Sequence, residues 1–247
     1  PDPETPIEET VRAMHTLVMQ GKICYWGTSE WSCGEIEEAY SVARKLNLTP
    51  PAMEQPEYNM FEREKMEKDY LPLFENEGLG TTIWSPLSSG LLTGKYIDGM
   101  PSGTRTSLES YKFIKDRFES EDYKNKHEQV KQLHDLAKEI GIPLVQMALC
   151  WCLKNKNVST VILGASQPEQ LKQNIDSLDH LDLLDDGIME RIESIIKKYS
   201  NYLSFPVKVN NKTVNQVKAI WTQSKSEVKN DEYKEFFKQI SHSQVDP

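Results

Sequence analysis

The chain has 247 residues, 38% apolar and 27% charged, and its 29 basic against 38 acidic side chains give a net charge of −9. That length fits one α/β barrel or two small domains. The acidic balance argues against a nucleic-acid binder, and no run of 18 apolar residues offers a membrane-spanning helix.

The average hides a division. Residues 197–247 hold nine Lys and five acidic residues, a net of +4, leaving −13 for the preceding 196, and all 12 Gly lie at or before Gly187. The shift predicts two units of different character with a boundary near 190–197.

Thr5 is expected to cap the first helix, with Pro6 at its first position and Glu8 completing a capping box. Val11, Met14, Leu17 and Val18 then share one face, and Gly21 ends the helix. The apolar run at 23–26 predicts a buried strand leading into the turn Gly27-Thr28-Ser29. Ser32 and Glu35 form a second capping box before an apolar face of Ile36, Ala39, Tyr40, Ala43 and Leu46. Residues 52–58 read as a strand weakened by Pro56, and 62–76 as a charged helix kinked or broken at Pro72. Residues 80–84 read as a strand ending in Ser85-Pro86-Leu87.

The stretch from 88 to about 108 is a Gly-, Ser- and Thr-rich loop, of a length that is usually functional or disordered. Val130, Leu133, Leu136, Ala137 and Ile140 mark a helix stopped by Gly141, and Pro143 opens the next. Cys150 and Cys152 there lie about 200° apart around a helix, so they cannot face one metal and read as buried small hydrophobes. Four Cys in a chain this long do not describe a disulfide scaffold, which suits a reducing compartment. Residues 159–163 form a β-branched strand ending in Gly164-Ala165-Ser166. Ser166 with Glu169 predicts a third capping box and a helix to about residue 178.

Strand and helix thus alternate four times, which predicts a parallel sheet with helices outside it. Four units are half of an eightfold barrel, in which chemistry sits at the C-terminal strand ends. The tail reads differently. Leu203, Phe205, Val207 and Val209 alternate with polar residues and Pro206, as in an edge strand. Ala219-Ile220-Trp221 is an apolar anchor, Ser224 and Glu227 a capping box. Tyr233, Phe236, Phe237 and Ile240 form a helical stripe that packs on a core or docks a partner helix.

The strand ends carry the candidate chemistry. Gly164-Ala165-Ser166 precedes a helix whose free N–H groups and dipole favour an anion. Lys95 and Arg105, ten residues apart in the long loop, are suited to clamp a phosphate monoester such as the 2′-phosphate of NADP. Gln170, Gln173 and Asn174 are placed to bond an adenine edge or ribose. Each element alone also fits a plain helix cap or a solvated loop charge.

Their order is more specific. The runs Pro1-Asp2-Pro3-Glu4-Thr5-Pro6-Ile7-Glu8-Glu9-Thr10, Tyr25-Trp26-Gly27-Thr28-Ser29, Glu54-Gln55-Pro56-Glu57-Tyr58-Asn59, Trp84-Ser85-Pro86-Leu87, Gly94-Lys95-Tyr96 and Leu163-Gly164-Ala165-Ser166 resemble the C-terminal half of the aldo-keto reductases, within them the potassium-channel β-subunit branch. The resemblance implies an α/β fold, the C-terminal half of a (β/α)8 TIM barrel over residues 1–195. It also implies NADPH/NADP as cofactor, a small carbonyl substrate in the parent protein, a cytoplasmic setting, and a homo-oligomer or a membrane-channel partner. By resemblance Ser29 and Gln55 hold the nicotinamide carboxamide, and Trp84, Ser85, Pro86 and Leu87 line the diphosphate side. Ser89 and Lys95 contact phosphates, Arg105 the 2′-phosphate, and Gly164, Ser166, Gln170 and Asn174 surround the adenosine. Where that branch commonly has Arg after Gly-Thr-Ser and Glu before Asn174, this chain has Glu30 and Gln173.

The family's catalytic Asp, Tyr, Lys and His come from its first four strands and match nothing from Pro1 onward. The expectation is therefore a cofactor-holding half, inactive by itself. Residues 196–247 resemble the junction of the N-terminal and middle domains of the ninety-kilodalton heat-shock chaperones. The runs are Lys197-Lys198-Tyr199-Ser200-Asn201-Tyr202-Leu203-Ser204-Phe205-Pro206, Ala219-Ile220-Trp221-Thr222, and Asp231-Glu232-Tyr233-Lys234-Glu235-Phe236-Phe237-Lys238. They imply a small α+β fragment, an edge strand plus an amphipathic helix. Four functions stay open: an NADPH-dependent oxidoreductase present as a fragment, a channel β-type binding subunit, a chaperone-derived module, and a composite chain without independent activity.

Overall fold

The computed structural model describes residues 2–104 and 109–197, and the two short strands at 208–209 and 212–213. Its first helix, α1 (Ile7–Met19), buries Ile7 and Val11. Thr5 does not cap it: the Thr5 hydroxyl donates to Asp2 Oδ2 at 3.0 Å, and Pro6 occupies the cap position without a side-chain bond. Glu8 is spent on Arg12, one turn on, at 2.8 Å. A preceding Asp captured the threonine that the pattern assigned to the helix.

Strand β1 is Gly27–Ser29, not 23–26. Tyr25 is 79% exposed, so the apolar run lacks the cover that a buried strand needs. Only Trp26 is enclosed, with its indole N–H donated to the Thr49 carbonyl, and pairing begins at its own carbonyl, which accepts the Ala52 N–H at 2.8 Å. Helix α2 (Cys33–Leu46) opens on the expected capping box. Ser32 Oγ accepts the Glu35 N–H, and Glu35 Oε2 accepts the Ser32 N–H at 2.7 Å.

Strand β2 (Met53–Gln55) stops before Pro56, which has no N–H to give. A π-helical turn (Lys65–Asp69) and α3 (Leu71–Asn76) follow, with Pro72 opening the second helix instead of kinking one long one. After β3 (Gly80–Ile83) the chain makes a 3-10 stretch (Ser88–Thr93), a further 3-10 turn (Glu109–Tyr111), and helices α4 (Lys112–Glu119), α5 (Glu121–Glu139) and α6 (Leu144–Lys154). Then come β4 (Thr160–Val161), α7 (Pro168–Ile175), a 3-10 segment (Asp176–Leu183) and α8 (Asp186–Lys197). In α6 every residue from Gln146 to Cys152 is buried, Cys150 and Cys152 included, as in a helix enclosed on all sides by the core.

The fold is α/β. The four strands pair in parallel in chain order, β1-β2-β3-β4, with helical crossovers between them. Partners Gly27↔Met53 and Ser29↔Gln55 fix the β1–β2 register. A Cβ at Gly27 would sit 2.4 Å from both the carbonyl oxygen and the sulfur of Met53, so only glycine admits this close approach. Thr28, Glu54, Thr81 and Ile83 share the buried side of the sheet, while Ser29 and Gln55 point to the other. Among the described residues no single helix is long and apolar enough to cross a membrane.

The chain divides into two units between Glu190 and Arg191. In the second, β5 (Lys208–Val209) pairs antiparallel with β6 (Lys212–Thr213). Of the stretch expected to form an edge strand, residues 208–209 are described, as one arm of this hairpin. Residues 203–207, the Trp221 anchor, the Ser224 cap and the Tyr233 to Ile240 stripe lie outside the described residues.

Candidate functional site

Parallel pairing puts Ser29 and Gln55 side by side at the C-terminal ends of β1 and β2. The Ser29 hydroxyl donates to the Gln55 carbonyl at 3.0 Å, and Gln55 Nε2 donates to Thr82 Oγ1 at 3.4 Å. Hydroxyls and an amide on three adjacent strands form a polar rim able to give and accept hydrogen bonds. On the opposite side of the sheet, Glu54 is fully buried and accepts from the Thr28 hydroxyl and from the Trp31 N–H at 3.2 Å. Burial pushes its carboxyl above the ordinary glutamate range, and these donors only partly pull it back.

Glu30 is the residue whose importance the sequence understated. It follows β1 with φ of 61°, the left-handed region, and reaches the ends of β2 and β3. Its carboxylate accepts the Glu57 N–H at 2.6 Å, the Trp84 indole N–H at 2.9 Å, and the Lys65 ammonium. Partial burial pushes its pKa up, but the bonds from Lys65, Glu57 and Trp84 outweigh that and hold it below the ordinary value. Its one signal in the sequence was the Glu standing where the resembled branch has Arg.

Beyond β3 the backbone turns sharply. Ser85, Ser88 and Ser89 have φ of 54°, 48° and 56°, and Gly90 has 99°. Such geometry costs energy in non-glycine residues and persists only where neighbours fix it. Here Asn59 Nδ2 donates to the Ser85 carbonyl at 3.0 Å, and the Ser89 N–H donates to Ser85 Oγ at 3.0 Å. Pro86 is buried and Leu87 half-buried within the same turn. Lys95 folds back over it: its Nζ lies 4.9 Å from the Tyr96 ring centroid and 3.7 Å from where a Cβ at Gly90 would be. This exposed ammonium has no carboxylate partner among the described residues.

β4 carries the remaining segment to the same end of the sheet, since the Ile162 N–H donates to the Ile83 carbonyl at 2.9 Å. Gly164, Ser166, Gln170 and Gln173 are exposed there, while Asn174 is buried. The third capping box does not form. Gln167 takes the cap position of α7, and both the N–H and the hydroxyl of Ser166 donate to Gln170 Oε1, at 2.9 and 3.2 Å. The amide side chain outcompetes Glu169 because it reaches back one full turn. The Gln173 carbonyl accepts Gln146 Nε2 at 2.9 Å. Arg105 lies outside the described residues. The structure thus joins Ser29, Gln55 and Trp84 through the strand ends, and Ser85, Ser89 and Lys95 through the turn. Gly164 to Asn174 stands beside them without a hydrogen bond to either group among the described residues. No group of three or more His, Cys, Asp or Glu suited to a metal occurs among the described residues.

A parallel sheet in chain order with helical crossovers, carrying a polar rim and a strained turn at its C-terminal edge, is the arrangement of the barrel and open-sheet α/β proteins. The model for the aldo/keto reductase family matches residues 1–197, and the chain belongs to that family. It is 47% identical over 198 residues to a rice (Oryza sativa subsp. japonica) protein described as "Probable voltage-gated potassium channel subunit beta", and 48% identical over 198 residues to an Arabidopsis thaliana protein of the same description. Each match covers 80% of this chain and 60% of the relative, so the chain spans about 60% of the length of these curated relatives. Residues 208–247 match the model described as Hsp90 protein.

Proposed function

We propose that residues 1–197 form the cofactor-holding part of an NADP(H)-dependent carbonyl oxidoreductase of aldo-keto reductase type, the C-terminal half of a (β/α)8 barrel. The observation that carries this reading is the Lys95 ammonium, without a carboxylate partner among the described residues, folded over the left-handed Ser88–Ser89–Gly90 turn beyond β3. An ammonium over small residues is a donor set suited to phosphate. When bound, the nicotinamide supplies or accepts a hydride.

The chain's own residues then have separate tasks. The Ser29 hydroxyl and the Gln55 amide orient a carboxamide. The Trp84 face, with Ser85, Pro86 and Leu87, bounds the site and excludes water. Ser89 and Lys95 neutralise phosphate charge. Gln170 offers its amide to an adenine or ribose edge after exchanging its Ser166 bonds. Gly164 leaves room for the adenosine to approach, and Arg105 is assigned the 2′-phosphate. Asn174, being buried, supports α7 more than it contacts ligand, and Gln173 brings an amide where the resembled branch has a carboxylate. No residue of this sequence is assigned the proton-transfer role.

The test is a fluorescence titration of the whole chain with NADPH. Saturable binding that weakens about tenfold or more in Lys95→Ala supports the reading, by the worth of a charge-assisted bond. Indifference to Lys95 contradicts it. The relatives' names favour a second reading, a subunit that binds a potassium channel. Co-purification with such a channel's cytoplasmic segment, retained in Lys95→Ala, would favour it.

A further inference from the structure

We infer that Glu30 is a positioning residue that holds the Trp84 indole as a wall of the cofactor site, acting with Lys65 as a clamp across three strand ends. This rests on the proposed NADP(H) reading. Glu30 Oε1 receives both the Trp84 indole N–H, at 2.9 Å, and the Glu57 N–H, at 2.6 Å. Its other oxygen receives Lys65 Nζ, which also reaches the Glu30 carbonyl at 3.3 Å. The three donors come from the ends of β2 and β3 and from the π-helical turn, so a single carboxylate just after β1 fixes the spacing of all three. Glu57 and Trp84 are themselves bridged, with the Tyr58 N–H donated to the Trp84 carbonyl at 3.2 Å and the Trp84 N–H to the Pro56 carbonyl at 3.0 Å.

The backbone pins Trp84 at its main chain, and among the described residues Glu30 is the hydrogen-bond partner of its ring. A tryptophan ring otherwise samples several rotamers, and an indole N–H at a strand end seeks an acceptor. The φ of 61° at Glu30 is strain that a non-glycine residue keeps only where its side chain is held, here by these donors. The acceptor must be a carboxylate. An amide at this position can accept from Trp84 and Glu57, but it then turns its NH2 toward Lys65, donor against donor.

The experiment is a double-mutant cycle on NADPH affinity, read by fluorescence in the full chain: wild type, Glu30→Gln, Trp84→Phe and the double variant. If Glu30 acts through Trp84, Glu30→Gln lowers affinity about tenfold in the parent and changes it less than about twofold in the Trp84→Phe background. Equal losses in both backgrounds overturn the inference while leaving the NADP(H) reading standing. Absence of NADPH binding by wild type removes both. Lys65→Met serves if Glu30→Gln does not fold, because it leaves the carboxylate in place on a less constrained clamp. It must show the same dependence on Trp84 at about threefold amplitude, and an effect independent of Trp84 overturns the inference equally.

Discussion

Ser32 and Glu35 exchange two hydrogen bonds at the start of α2, the Glu35 N–H reaching Ser32 Oγ at 3.3 Å and the Ser32 N–H reaching Glu35 Oε2 at 2.7 Å. This closure fixes where α2 begins, three residues after β1, and therefore how the Ser29–Glu30 corner is presented. Ser32→Ala removes one half of it and is expected to cost about 1 kcal/mol. The melting temperature should fall by about 2–4 °C, as followed by circular dichroism. An unchanged melt would mean that the corner is held by β1–β2 pairing alone.

Glu54 gives a pH dependence with a definite sign. Its folded-state pKa is raised by burial, so the folded chain binds its proton more tightly than the unfolded chain does. This contribution favours folding at pH below the unfolded glutamate value, and the advantage is lost as pH rises through the raised folded value. Glu54→Gln keeps the acceptor for Thr28 and Trp31 without the buried charge. It should raise the melting temperature at pH 7.5 by more than at pH 4.5. A larger gain at the lower pH would show that the ionised carboxylate is the stabilising form.

The cysteines should separate by reactivity. Cys24 is exposed and Cys33 half-buried, while Cys150 and Cys152 are buried. Burial pushes the Cys150 thiol up to about 11, and that of Cys152 higher still. Thiolate is the reactive form, so a disulfide-exchange reagent should label Cys24 first and Cys150 and Cys152 only after unfolding. Four thiols released at one rate under native conditions would contradict the packing of α6.

Arg105 discriminates between cofactors in the proposed reading. Arg105→Ala should weaken NADP+ binding by about tenfold or more and NAD+ binding far less, by calorimetry, because only the former carries the 2′-phosphate. Equal losses for the two would remove Arg105 from that role.

The parallel order of four strands was legible because β-branched and apolar runs alternate with capped helices, and Gly80–Ile83 stands in the structure nearly as its residues suggest. The ends of elements were less legible. Thr5 and Ser166 both have the spacing of a cap, yet Asp2 captured one and Gln170 the other, competitions between side chains that spacing does not rank. The run at 23–26 has the apolarity of a buried strand without its burial, since Tyr25 faces outward. In the candidate site, Ser29, Gln55 and the turn from Trp84 to Lys95 were visible as small or charged residues at strand ends. Glu30 was not, because its value lies in partners 27, 35 and 54 residues away that only the sheet brings together.

Isothermal titration of the whole chain with NADPH and with NADH tests the proposed grip of residues 1–197 on the phosphates of NADP(H). Saturable binding of NADPH at one site per chain, at least about tenfold tighter than NADH, is expected. Equal affinity for the two, or no saturable heat with NADPH, would contradict it.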